Sequence, residues 1–289
     1  MNDERGAPAS DRASESRAPK AGARTPVLAF VLGTAVALCG GGLLVAVALS
    51  DTLVTSRARE ALVERGVVCD ERFAVDVNWS FSEATLAPTR CTLVRVSFAD
   101  AVELPEGATA SLSGLSPSEL RIPSARVFLV DSSNAGVDLG PMGALGTLGL
   151  GSIAGVGSRV ASTGQATAEI AAHQPVPTTI ARLELVHGGE VEVAITELGI
   201  GGGVPTTFRA ARAELSELSG PMGIAATASL SDITGTATAS TCHLEGELTV
   251  GARMPIVGTL SHETHVVLEG AALNGPEPTF SVSAGSAGD

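Results

Sequence analysis

From Val67 onward the chain changes side-chain character at every second residue, and that period constrains its fold more than any other feature. Phe73, Val75, Val77 and Trp79 alternate with Ala74, Asp76 and Asn78. Thr92, Val94, Val96 and Phe98 alternate with Leu93, Arg95 and Ser97, and Val191, Val193 and Ile195 with Glu190, Glu192 and Ala194. Cys242, Leu244, Leu248 and Val250 alternate with His243, Glu245, Glu247 and Thr249. Side chains of a strand point to opposite faces in turn, so each run predicts a strand with one buried and one wet face. Further strands are expected near 107–113, 118–130, 165–172, 179–187, 207–217, 223–230, 263–271 and 277–283. No long helical pattern interrupts them, which argues against βαβ units and for successive antiparallel strands. The predicted fold class is mainly β: a single N-terminal transmembrane helix followed by a curled antiparallel β-sheet.

Gly188-Gly189, set between two alternating runs, predicts a tight hairpin, because glycine tolerates the positive φ such turns require. Val176-Pro-Thr-Thr179 recurs as Val204-Pro-Thr-Thr207, each followed by an Arg/Glu-alternating segment. Ser118-Glu-Leu-Arg-Ile-Pro-Ser resembles them loosely; a strand-pair repeat stacked along one axis is one reading of the set, and a chance match of four residues is the other.

Upstream, Pro26 to Leu49 reads PVLAFVLGTAVALCGGGLLVAVAL, without a charge. A helix needs roughly 20 apolar residues to cross a bilayer core. Residues 25–50 are therefore the predicted anchor, with Pro26, Leu28, Phe30, Leu32, Leu43, Leu44 and Leu49 among its apolar residues. Arg17, Lys20 and Arg24 precede it with no acid among them, and this positive flank places a short N-terminal tail in the cytoplasm and the rest outside. Ala46-Val47-Ala48 also matches a signal-peptidase site, so cleavage after Ala48 is the competing reading; the run is long for a signal core. Residues 1–24 have almost nothing to bury and are expected to be disordered. Residues 51–66 carry helix formers with Gly66 as a stop, and Leu53, Ala58, Leu62 and Val63 make a rough apolar stripe.

The chain has 289 residues and a formal charge of -13. An acidic external part offers no face for phosphate backbones, which excludes nucleic acid as a partner. Aromatic residues at 3% supply no stacking platform either. Arginine replaces lysine almost throughout, which suggests a bacterium with a GC-rich genome. Cys39 lies in the apolar run, leaving Cys69, Cys91 and Cys242 outside it. An oxidising periplasm permits a bridge: Cys69–Cys91 is the local pairing, Cys91–Cys242 the long-range one, and three buried free thiols the third possibility.

Residues 139–164 form a glycine-rich connection between a first β segment (67–138) and a second (165–289). Residues 139–158 in particular carry no charge. Gly149-x-Gly151-x-x-Ala154, with Glu169 beyond, has the outline of a dinucleotide fingerprint. Glycines at 155, 157 and 164 fall where its helix would run, so no cofactor is expected. His262 and His265 stand three apart in a predicted strand and so face opposite sides, which argues against a metal pair. No G-x-S-x-G elbow places a nucleophile. No catalytic residue, cofactor or metal site is expected.

An anchor, a helix ending ALVERGVVCDERFAVDV and then one short strand after another resemble the layout of AsmA-like envelope proteins. The N component of type II secretion systems is of similar size. LELVHGGEVEVAITELGI resembles their hairpin repeats. The resemblance implies a sheet curled around an apolar groove, with Phe73, Val75, Val77 and Trp79 among its lining. It also implies an address in the inner membrane, with the β domain in the periplasm. The implied partners are the lipid bilayer and either a bound lipid, for a binding or transfer module, or envelope proteins, for a structural or secretion accessory subunit.

Overall fold

The computed structural model describes residues 51–64, 66–78, 80–94, 99–113, 116–130, 136–138, 176–219, 225–238, 240–254, 258–271 and 279–285. The expected tail and anchor, the segment 139–158, Glu169 and Trp79 lie outside them. Among the described residues no helix is long and apolar enough to cross a membrane.

Helix α1 (Asp51–Glu64) occupies the expected place and stops where Gly66 turns the chain, with φ 83° and its N–H donating to the Val63 carbonyl at 2.9 Å. Ala58 and Leu62, one turn apart, are buried. Val63 does not join their stripe: it is 51% exposed. It stands five positions past Ala58, which rotates it well away from the buried face at 100° per residue.

Strands follow as β1 (Val67–Cys69), β2 (Val75–Val77), β3 (Glu83–Leu86), β4 (Thr89–Leu93), β5 (Ala99–Leu104), β6 (Ala108–Ser113), β7 (Ser116–Leu129) and β8 (Gly136–Asp138). Then come β9 (Thr178–His187), β10 (Glu190–Ile200), β11 (Thr206–Ser219), β12 (Ala225–Ala237), β13 (Thr241–Met254), β14 (Gly258–Ala271) and β15 (Thr279–Gly285). All belong to one sheet, in the order β1-β4-β5-β7-β9-β10-β11-β12-β13-β14-β15-β8, with β2-β3-β6 branching from β7. Neighbours are antiparallel except β7 with β9 and β15 with β8, which run parallel. The residues before and after the glycine-rich connection thus share one sheet through β7 and β9. Its margins β1 and β8 do not pair with each other, so the sheet is not closed.

Gly188 and Gly189 do make the β9–β10 hairpin, with φ 58° and 89°. The recurring Val-Pro-Thr-Thr opens β9 and β11, and Thr178 and Thr206 are buried at equivalent places. The strand expected over Phe73–Trp79 is shorter. Asn78 ends it by accepting hydrogen bonds on Oδ1 from the N–H groups of Ser82 and Glu83. In the strand expected over Thr92–Phe98 the faces are reversed: Leu93 is buried and Val94 is 67% exposed. Cys91, directly opposite Cys69, holds the odd-numbered positions of β4 inward, and parity does the rest.

One crease runs across five strands. Inward residues fall at Leu120, Ile122, Ala125 and Val127 on β7, and at Thr178, Ile180, Leu183 and Leu185 on β9. They continue at Val193, Ile195, Leu198 and Ile200 on β10, at Phe208, Ala210, Ala213 and Leu215 on β11, and at Ala228, Leu230 and Ile233 on β12. In every strand the spacing is two, then three, so two consecutive residues point outward between the inward pairs. The outward residues Ser124, Arg182, Thr196, Arg212 and Ser231 are cross-strand partners in one unbroken row. Their companions Pro123, Ala181, Glu197, Ala211 and Asp232 lie in the adjoining row. Glu197 and Asp232 take positive φ, 55° and 52°. An extra outward residue bends a strand as a β-bulge does. Because all five bulge in line, pairing among them stays in register at the crease, the shifts at Val191/Val193 and Leu215/Leu218 lying away from it, and the crease's own mismatch appears at β13, between Ser231 and Thr234. The crease also divides β7: residues before it pair with β6, those after it with β5.

Candidate functional site

The inward row of the crease joins into a continuous apolar face from β7 to β14. Ile180, Leu183, Leu185, Leu198 and Ala213 on it are fully buried, and Leu244, Leu248, Val266 and Leu268 extend it over β13 and β14. Burial of this face stabilises the fold by roughly 25 cal/mol per Å² of apolar surface removed from water. Cys242 sits on it as a free buried thiol, and burial pushes its pKa up to about 11, against a weaker lowering by a backbone hydrogen bond from Gly270. A thiol so protonated is inert at neutral pH.

The opposite face is charged. Glu184, 8% exposed at its side chain, accepts from Arg126 Nε at 2.8 Å and from Arg182 Nε at 2.7 Å, with Glu103 3.9 Å from Arg126. Burial pushes the Glu184 carboxyl up, but the two arginine hydrogen bonds and charges outweigh it and hold it below the usual carboxylate range. Arg90 stacks over the Phe128 ring at 4.4 Å. This network is charge-compensated and reads as strand-to-strand fastening.

Of the expected groove residues, Phe73, Val75 and Val77 are among the described ones. Phe73 and Val75 are buried and Val77 is half-buried beneath α1, where Thr55 Oγ1 accepts from the Val75 N–H at 3.1 Å. Arg59 crosses the Phe73 ring at 5.9 Å, and its Nη2 donates to the carbonyls of Asp70, Glu71 and Phe73. Between α1 and residues 71–76 opens a cleft of about 910 Å³ with Phe73 and Val75 at its floor and Glu60, Glu64, Glu71 and Asp76 around it. The two aromatic and β-branched residues therefore serve the helix–sheet core first. They belong to one hydrophobic cluster with the large apolar face, and β2 joins the sheet through β3 and β6.

No family model matches the chain, and no curated protein or solved structure matches it. What the site can do is therefore read from its own chemistry.

Of the cysteine pairings left open, the structure has Cys69–Cys91, joining directly opposed residues of β1 and β4 with 3.9 Å between Cα atoms. It closes a 22-residue separation and is worth about 3 kcal/mol in a chain-entropy account. His262 is exposed, while His265 pairs across to Glu247 at 3.0 Å, on the other side of β14. Among the described residues no group of three or more His, Cys, Asp or Glu is placed to hold a metal ion. The apolar face itself was not recognised in the sequence as one object. The signal that could have found it is the two-then-three spacing, repeated in five strands.

Proposed function

We propose that this chain is a single-pass protein of a bacterial inner membrane, its tail in the cytoplasm and its sheet outside, and that the sheet curls to shield an apolar molecule such as a lipid. The uncharged run at 25–50 and its basic flank support the anchor. The Cys69–Cys91 bridge fits an oxidising compartment beyond that membrane.

The observation that carries the curl is the short link between β7 and β8. Only residues 130–135 connect Leu129 to Gly136, which limits their separation to about 25 Å. Eight strand-to-strand steps separate β7 from β8 in the sheet, roughly 38 Å if flat. The row through Val137 passes Phe280, Gly270, Cys242 and Ala237 to Thr206, at the end of the sheet where β7 begins. Leu129 is at the other end, roughly 35 Å away along the strands. A flat sheet leaves the two residues about 50 Å apart. A sheet wound with tilted strands, like the wall of an unclosed barrel, brings them within reach. The apolar face then lines a trough, and an unclosed wall can widen to admit a long apolar chain.

Native mass spectrometry after mild detergent extraction tests this reading. Retained lipid is the expected result. A lipid-free protein with stoichiometric protein partners overturns it, in favour of a structural or secretion accessory subunit. No enzymatic step is proposed.

A further inference from the structure

The apolar face is shut at one end of the sheet and open at the other. Where β9, β11 and β13 begin and β10, β12 and β14 end, its inward residues Thr178, Ile200, Thr206, Ala237 and Cys242 are all buried. Toward the far end of β13 and β14 that burial fades. Along β14 the inward positions run from Leu268, 1% exposed, through Val266 and half-buried Thr264 to exposed His262 and to Leu260 at 55%. On β13 they run from buried Leu244 and Leu248 to half-buried Val250 and Ala252. The register between the two strands is unbroken, so alternation keeps every one of these side chains on the inward face. The ends also differ in polar chemistry. At the shut end the hydroxyls of Thr178 and Thr206 already donate to the carbonyls of Val176 and Gly203. At the open end neither His262 nor the exposed Arg253 has a hydrogen bond or ion pair among the described residues. Glu263, beside His262 in sequence, falls on the outer face by parity.

We propose that the shielded molecule is an amphiphile with an anionic head, of the long-chain fatty acid class. It enters tail first at this end, past Leu260 and Val250, and leaves its carboxylate beside His262. The inference rests on the reading of the sheet as a lipid-shielding trough and gives that trough a direction. A hydrocarbon tail gains free energy by leaving water for an apolar face, so it moves toward Leu248, Val266 and Leu268. A carboxylate taken to the shut end would leave water without a cation to pair with, which is costly. At the open end it stays wetted, and the imidazole of His262 can donate to it. Val250, already packed against the core cluster, is the step between the exposed entry and the buried face.

Two photoreactive fatty acids test it on the full-length chain in phosphatidylcholine nanodiscs, one with its diazirine next to the carboxylate and one with it at the methyl end. The first is expected to cross-link within residues 250–262, and the second to deeper inward residues such as Leu244, Leu248 or Leu268. Leu260→Asp should slow loading about tenfold, because it removes an apolar side chain from the path and adds a like charge. Val204→Asp, at a site 86% exposed at the shut end, should load as the unaltered protein does. The reverse order of cross-links overturns the proposal, as do cross-links at Thr178 or Thr206. Unchanged loading by Leu260→Asp, or equal slowing by both variants, also overturns it. Native mass spectrometry separates the two levels of failure. Retained lipid without cross-links at 250–262 refutes this entry alone, whereas no retained lipid and no cross-link to the sheet refutes the trough as well.

Discussion

Phe208 lies across Gly235. The two are directly opposed in the register of β11 and β12, and a Cβ at 235 would run into the ring's Cζ and Cε2 and into the His243 carbonyl. The missing side chain is what lets the largest inward residue of β11 lie down over its neighbour.

Gly235→Ala is therefore expected to destabilise the protein by about 1–3 kcal/mol through overpacking. The shift in denaturation midpoint measures it. Phe208→Leu combined with Gly235→Ala should recover the part of the loss due to the ring, while the contact with the His243 carbonyl remains. An unchanged midpoint for the single variant would show that the ring does not occupy that space.

The crease carries its own signature in Glu197, whose φ of 55° places a non-glycine residue in the left-handed region. That conformation costs about 1–2 kcal/mol, while glycine's extra chain entropy costs somewhat less. Glu197→Gly should accordingly leave stability unchanged or raise it by about 0.5 kcal/mol, and Glu197→Val, branched at Cβ, should lower it by about 1 kcal/mol. Equal losses from both variants would mean the backbone there is ordinary strand.

Glu184 predicts the direction of a pH effect. Its folded-state pKa is depressed, so its contribution is present above the unfolded value, near 4.5, and is lost as pH falls through the lower folded one. Arg126 and Arg182 are 45% and 57% exposed, which screens the pair and limits its worth to roughly 1 kcal/mol. Glu184→Gln should lose that amount at pH 7 and show a shallower decline in stability below pH 4.5. An acid profile identical to that of the unaltered protein would remove Glu184 from the account.

Much of the strand inventory was legible because alternation is a local property. A run such as Cys242 to Val250 announces its two faces, Gly188-Gly189 its turn and Gly66 the end of α1. Two departures have different causes. Period alone does not say which parity of the Thr92–Phe98 run is buried; Cys91, held opposite Cys69, decides that. The strand Val75–Val77 ends at Asn78, whose side chain captures two backbone N–H groups, which no pattern of apolar residues reveals.

The sequence by itself determined that the chain after Val67 is built of alternating strands, that they are strongly acidic, and that an uncharged run of bilayer length stands before them. Tertiary structure alone decided that β7 and β9 pair in parallel across a long connection and that β8 joins the far margin beside β15. It also aligned the five doublets into one crease. The physical reason is range. Strand propensity is written within a few residues, whereas pairing and bending depend on contacts between residues far apart in the chain, and a doublet such as Ala181-Arg182 acquires meaning only when its neighbours lie beside it.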